Sequence, residues 1–299
     1  MDINFELYKI FYHTAKAKSF SAAADTLHVS QSAVSQSIKS LEEKLGSKLF
    51  FRKNREIKLT AEGEILFKHI EQAYNFIKTA EHKIYQTQNM ERGEIRIGAS
   101  DTVCKYFLIP YIEKFIKNYP NIKIQVINRT SSQIEEILKK GLIDFGIVTL
   151  PVQDSNKIHH EEFLTVKDIF VASDKFSMLK NQETDIKTLA SYPLLMLDRG
   201  TSTRRNIDSY LSSKGIGIVP EIELESIDLL VEFAKIGLGI ALVLKESVAD
   251  ELKKGTLFEV KLKEDITLRK LGIITMKNVP LSRASSEFIK LLRTHSNPM

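Results

Sequence analysis

What the chain lacks narrows its chemistry first. It carries one cysteine, Cys104, so no disulfide can close within it. No stretch approaches the roughly 20 apolar residues that span a bilayer. The opening MDINFELYKIF has acidic residues and no unbroken apolar segment, unlike an export signal. These three features predict a soluble protein of the cytoplasm without membrane contact. Neither short-period repeats nor low-complexity segments occur. The glycine pairs Gly215/Gly217 and Gly237/Gly239 fall short of G-x-G-x-x-G, which speaks against a dinucleotide site. His159-His160-Glu161-Glu162 groups metal-capable side chains, but consecutive residues of an extended linker point in different directions, and no second cluster accompanies them. No nucleophile, base and orienting partner stand at recognisable spacing. The sequence therefore predicts no enzyme, no metal and no cofactor.

What is present is organised in blocks. A chain of 299 residues, 43% apolar and 27% charged, has the material for two or three globular units. Its net charge of +5 permits a nucleic-acid partner without demanding one. The distribution says more: from Lys48 to Lys58 the cations Lys48, Arg52, Lys53, Arg55 and Lys58 face the single anion Glu56. A solvated hairpin and a phosphate-binding one are both compatible with that run.

Just before it, Ser19 to Gly46 reads as two helices joined by a tight turn. Ser21 is the expected cap of the first, whose Ala22, Ala23, Ala24 and Leu27 are small enough for a close crossing. Ala33, Val34, Ile38, Leu41 and Leu45 give the second helix one buried face. Its other face carries Gln31, Ser32, Ser35, Gln36 and Lys39, amides, hydroxyls and a cation suited to base edges and phosphates. A preceding helix, Phe5 to Ala17, is expected to bury Phe5, Tyr8, Ile10, Phe11 and Ala15. After it, Leu49–Phe51 and Ile57–Leu59 flank a cationic turn and predict a two-stranded wing.

Thr60 caps a long helix expected to run to about Met90. In it Leu66, Ile70, Ala73, Ile77, Ala80 and Ile84 recur at four, three, four, three and four, a heptad seam that calls for a second chain or for the helix's own domain. Asn89 to Gly93 reads as a linker. From Glu94 onward strands and helices alternate as in α/β folds with parallel strands, and the pattern repeats in the second half, predicting two lobes with a cleft between them.

A winged helix-turn-helix, a long helix and a two-lobed α/β region in that order resemble the LysR-type transcriptional regulators along the whole chain. The matching residues are Phe11, Ala15, Ser19-Phe20, Ala22-Ala23-Ala24, Leu27, Ser30-Gln31, Ser35, Ile38, Leu41-Glu42, Leu45-Gly46, Leu49-Phe50, Arg52, Leu59-Thr60 and Gly63. Ser32 departs from the pattern, since many members have proline there. The resemblance implies a DNA-binding domain over 1–60, a dimerisation helix over 61–90 and an effector domain over 91–299. The effector domain would comprise two Rossmann-like lobes, about 92–160 with 263–299 and about 161–262, similar to periplasmic binding proteins. It further implies homodimers through the long helix, homotetramers through the α/β domains, binding and bending of double-stranded promoter DNA, RNA polymerase as a partner, and a small-molecule effector.

For DNA the expected contacts are Gln31, Ser32, Ser35, Gln36 and Lys39 in the major groove, with Arg52 and Arg55 at phosphates or the minor groove. For the effector they are Ser100 and Thr102 in the turn after the first α/β strand, Thr201, Ser202 and Thr203 in the equivalent turn of the second lobe, and Thr149 at a strand end. Hydroxyls and backbone N–H groups at helix starts suit a small organic anion, a carboxylate first, with Arg204 or Arg129 as counter-charge; they also serve as ordinary helix caps. Peroxide-sensing members of the family trap a disulfide with a second cysteine. Cys104 has none and is expected to be buried beside Val103. The rival reading is an enzyme or solute-binding protein whose helical part only oligomerises.

Overall fold

A computed structural model describes residues 3–53, 56–87, 93–266 and 268–294. The chain forms two compact units, Met1–Tyr85 and Gln86–Met299.

The first unit is built on three helices. Helix α1 (Phe5–Ala17) starts at Asn4, whose side chain accepts from Glu6 N at 2.9 Å. Helix α2 (Phe20–Leu27) is capped by Ser19, which accepts from Ala22 N at 3.2 Å, so the cap lies two residues before the expected Ser21. Helix α3 (Gln31–Leu45) is capped by Ser30 and closed by Gly46 in the left-handed region. Phe11, Ala15, Ala23, Ala24, Val34, Ile38 and Leu41 form the core between them. Phe5 is half exposed instead of buried, and the unforeseen Tyr12 is buried because Phe67 and Tyr74 stack on its ring.

Strands β1 (Phe50–Lys53) and β2 (Glu56–Leu59) pair antiparallel as the wing. Helix α4 (Ala61–Thr87) follows directly. Thr60 Oγ1 accepts from Gly63 N at 2.9 Å and donates to Lys48 O at 2.7 Å, fastening the start of α4 to the wing. The fit there leaves no room at Gly63: a Cβ would stand 2.2 Å from the Leu49 carbonyl oxygen. Gly63→Ala must push the wing or the helix start aside, and a loss of about 1–3 kcal/mol is expected in urea unfolding. An unchanged midpoint would show that the junction yields freely. The expected linker lies outside the described residues except for Gly93, which opens a strand.

The second unit holds two five-stranded mixed sheets. Its elements begin with β3 (Gly93–Ala99), α5 (Asp101–Val103), a π-helical turn (Cys104–Leu108) and α6 (Ile109–Asn118). Next come β4 (Ile122–Asn128), α7 (Ser131–Lys139), β5 (Phe145–Thr149), β6 (Ile158–Val166) and β7 (Asp168–Ala172). They continue with β8 (Glu183–Thr184), α8 (Ile186–Leu189), β9 (Leu194–Leu197), α9 (Ser202–Ser213), β10 (Ile222–Leu224), α10 (Ile227–Lys235) and β11 (Ile240–Leu244). Last are α11 (Ala249–Lys254), β12 (Phe258–Glu259), β13 (Lys261–Leu262), β14 (Arg269–Met276) and α12 (Arg283–Arg293).

One lobe is the sheet β4-β3-β5-β14-β6 and the other is β10-β9-β11-β7-β12. Strands β3, β4 and β5 are parallel as expected, whereas β14 runs antiparallel to both β5 and β6. Because β6 pairs with β14 along its whole length, the first crossing between lobes falls at Val166–Asp168, not near residue 160. His159 to Glu162 therefore belong to a strand and not to an extended linker. Close packing sets the helices. Ile134 of α7 would meet a Cβ at Gly146 at 2.5 Å, which holds the start of α7 over the ends of β3 and β5.

Candidate functional sites

On α3 the inward face carries Val34, Ile38 and Leu41, all fully buried. This leaves Gln31, Ser32, Gln36 and Lys39 exposed and Ser35 half-buried on one side of the helix. The Ser32 hydroxyl lies 2.9 Å from that of Ser30, so it supplements the cap, and Lys39 Nζ stands 3.7 Å from Glu43 in an exposed pair. Arg52 lies on β1 opposite Ile57, and Arg55 falls outside the described residues.

Glu42, a residue whose role sequence reasoning missed, fixes the wing against α3. It is 6% exposed and accepts from Leu49 N at 2.9 Å, Phe50 N at 3.4 Å and Lys48 Nζ at 2.8 Å. Burial pushes its carboxyl up, but Lys48 and the two backbone donors together outweigh that and hold it below the ordinary range.

Between the lobes of the second unit lies a cavity of about 900 Å³. All six residues expected from the sequence, Ser100, Thr102, Thr149, Thr201, Ser202 and Thr203, line it. Four helix-start hydroxyls converge there. Ser100 accepts from Val103 N at 3.4 Å, Thr201 from Arg204 N at 3.3 Å and Ser226 from Leu229 N at 3.4 Å, while Thr130 closes a capping box with Gln133. Two of the four, Thr130 and Ser226, were not singled out from the sequence, although each follows a strand and precedes an amphipathic helix.

The expected counter-charges need correction. Arg204 is 1% exposed and bonds Asp208 at 2.8 Å, Glu223 at 3.0 Å and the Leu197 carbonyl at 3.1 Å, so it braces α9 from behind and does not line the cavity. Its guanidinium is spent on those partners. The cavity's cations are Arg129, Arg205 and Arg269. Arg129 and Arg205 are exposed, each donating to a nearby backbone carbonyl at 2.7 Å. Arg269 is buried at the floor, where it grips Asp168 of the other lobe through Nε and Nη2. A second tie between the lobes joins Tyr106 and Lys105 to Asp228 at 2.9 Å and 2.7 Å.

Cys104 is half-buried, and burial, aided by Asp101, pushes its thiol up to about 11. Thiolate is therefore scarce at neutral pH. Alkylation by iodoacetamide at pH 7.4 is expected to run at least about tenfold slower than for a free thiol of ordinary pKa near 8.5, followed by intact-mass spectrometry. A rate matching free cysteine would contradict it. Among the described residues there is no helix long and apolar enough to cross a membrane, and no group of three or more potential metal ligands.

A winged helical unit with a polar helix face, joined in one chain to a two-lobed cavity lined by helix starts, defines a DNA-binding regulator with an effector-binding domain. Comparison with known proteins gives the family. Residues 5–64 match the bacterial regulatory helix-turn-helix protein model, lysR family, and residues 88–297 match the LysR substrate binding domain. The chain belongs to the LysR family of transcriptional regulators. It is 28% identical over 285 residues, 94% of each chain, to a probable RuBisCO transcriptional regulator of Cyanidioschyzon merolae. Its fold is similar to full-length CbnR complexed with target DNA, with TM-score 0.67, 18% identity and coverage of 98% and 99%. It is also similar to the Synechocystis CcmR regulatory domain in complex with 2-PG, with TM-score 0.64, 20% identity and coverage of 70% and 99%.

Proposed function

We propose that this regulator binds a two-fold related promoter site as a dimer, and that a small organic anion between its lobes controls the arrangement. The observation that carries the effector half is the convergence of four helix-start hydroxyls and a buried arginine on one cavity. Helix starts favour an anion without needing a net positive wall. The CcmR regulatory domain, of similar fold, forms a complex with 2-PG, which supports a small-molecule ligand for this domain.

In the DNA half, residues 1–60 read the site, 61–90 dimerise and 91–299 sense the effector. Gln36 and Ser35 meet base edges, Gln31 lies beside them, Ser32 and Lys39 meet phosphates, and Arg52 and Arg55 extend the contact along the backbone. CbnR, a protein of similar fold, forms a complex with its target DNA, which supports DNA as the partner of this half. The protein works without catalysis, in the cytoplasm, as a dimer or a tetramer, and passes its signal to RNA polymerase.

The test is binding of the full-length protein to a selected DNA library at several salt concentrations. Gln36→Ala is expected to relax preference at one base position, with a discrimination loss of about 1–3 kcal/mol. Lys39→Ala is expected to weaken all sequences alike and reduce the salt slope by about one. If both variants bind as the parent does, α3 is not the reading helix.

A further inference from the structure

Most of the cavity is lined by groups that any polar solute could use, but its floor is different. Val166, Leu244 and Leu271 are buried apolar side chains, and amid them stands Arg269, 7% exposed. It opens β14 of one lobe, and its partner Asp168, 3% exposed, opens β7 of the other. The pair thus joins the two places where the chain passes between lobes. Asp168 takes two of the three guanidinium nitrogens, one bond measuring 2.6 Å to Nη2. Among the described residues the third, Nη1, reaches only the Thr149 hydroxyl, at a long 3.4 Å. Arg269 and Thr149 both line the cavity. A guanidinium has donors to spare in this geometry, and a short planar oxyanion matches them better than a distant hydroxyl does.

Resting on the cleft reading above, we infer that Arg269, with Thr149 beside it, binds the carboxylate of a small, partly apolar acid at the cleft floor, and that Asp168 tempers its affinity by partly neutralising the guanidinium. Exposed Arg129 and Arg205 at the mouth are ill placed for that task, and Arg204 is committed elsewhere. The apolar floor raises the strength of a charged contact and admits a carboxylate on a small hydrocarbon body.

The arrangement has a signature that a purely structural ion pair lacks. Removing the counter-charge while keeping the shape, Asp168→Asn, leaves Arg269 a full cation facing the ligand and tightens binding. Neutralising both, Asp168→Asn with Arg269→Gln, keeps a packed amide pair and removes the anion's partner. Calorimetry of the full-length protein with propionate, isovalerate and succinate at pH 7.5 reads this directly, with circular dichroism confirming the fold. Asp168→Asn is expected to bind the tightest of these acids at least about threefold better than the parent, and the double variant at least about tenfold worse. Ser202→Ala, on the wall, separates the two levels of the reading. If Ser202→Ala weakens binding while the double variant matches the parent, the cleft stands and the role of Arg269 is overturned. If Asp168→Asn binds equally or more weakly than the parent, the tempering role is overturned. Should neither the parent nor Asp168→Asn bind any of the acids, both the cleft reading and this inference fall; binding by Asp168→Asn alone supports them.

Discussion

Ile77→Asp is expected to weaken specific DNA binding by about 10²–10⁴-fold while each unit stays folded, because it removes the gain from presenting two α3 helices on one particle. The seam on α4 divides in two. Leu66 and Ile70 pack on the core of the helical unit itself. Further along, Ile77 is 39% exposed and Ile84 70% exposed, and Ala80 lies on the surface between them. Their spacing of three and four continues the heptad of that half-buried pair, so the exposed stretch has the pattern that knobs-into-holes packing requires. A carboxylate at Ile77 would be desolvated in such an interface. Sedimentation velocity should show the loss of the dimer, and fluorescence anisotropy with a whole and a half site should show affinities converging. A variant that remains dimeric, or binds whole sites as the parent does, would place the dimer contact elsewhere.

The helical unit was legible because its signals are local. Alanines at successive positions, apolar residues every three or four, and serine before α2 and α3 all act within one turn; what slipped was the α2 cap, from Ser21 to Ser19, and the burial of Tyr12 in place of Phe5. The turns lining the cavity were legible for the same reason, as strand, hydroxyl and helix follow one another within a few residues. Strand β6 was hidden by its exposure. Only Ile158, Phe163 and Val166 are buried along it, and the charged residues between them read as linker. Arg204 illustrates a different limit. Its spacing to Asp208 can be read off a helix, but its burial depends on Glu223 and the Leu197 carbonyl, brought together by the sheet. The pair at the cavity floor is beyond any local pattern, since Asp168 and Arg269 are 101 residues apart and meet only where the chain crosses between lobes.

Glu42→Ala is expected to cost about 2–4 kcal/mol of stability, the second large effect, because two buried backbone donors lose their acceptor at once. Leu49 and Phe50 are buried, and their N–H groups reach Glu42 where strand pairing does not serve them. The ion pair with Lys48 adds little, since Lys48 is largely exposed and solvent screens it. Glu42→Gln keeps an acceptor oxygen and should lose well under half as much, which separates the hydrogen bonds from the charge. The pH dependence has a definite sign. Burial alone would raise this carboxyl, but Lys48 and the backbone donors bring the folded value below the unfolded one of about 4.3. The charge-dependent part is therefore fully present above about pH 4.3 and is lost as pH falls through the lower folded value. Urea unfolding of parent and variants at neutral and acidic pH tests this, and their gap should narrow on acidification. Because Glu42 sits at the joint of α3 and the wing, Glu42→Ala should also weaken DNA binding across all sequences, at temperatures where the unit is still folded. Equal stability of Glu42→Ala and the parent would mean that the wing is held by its apolar contacts alone.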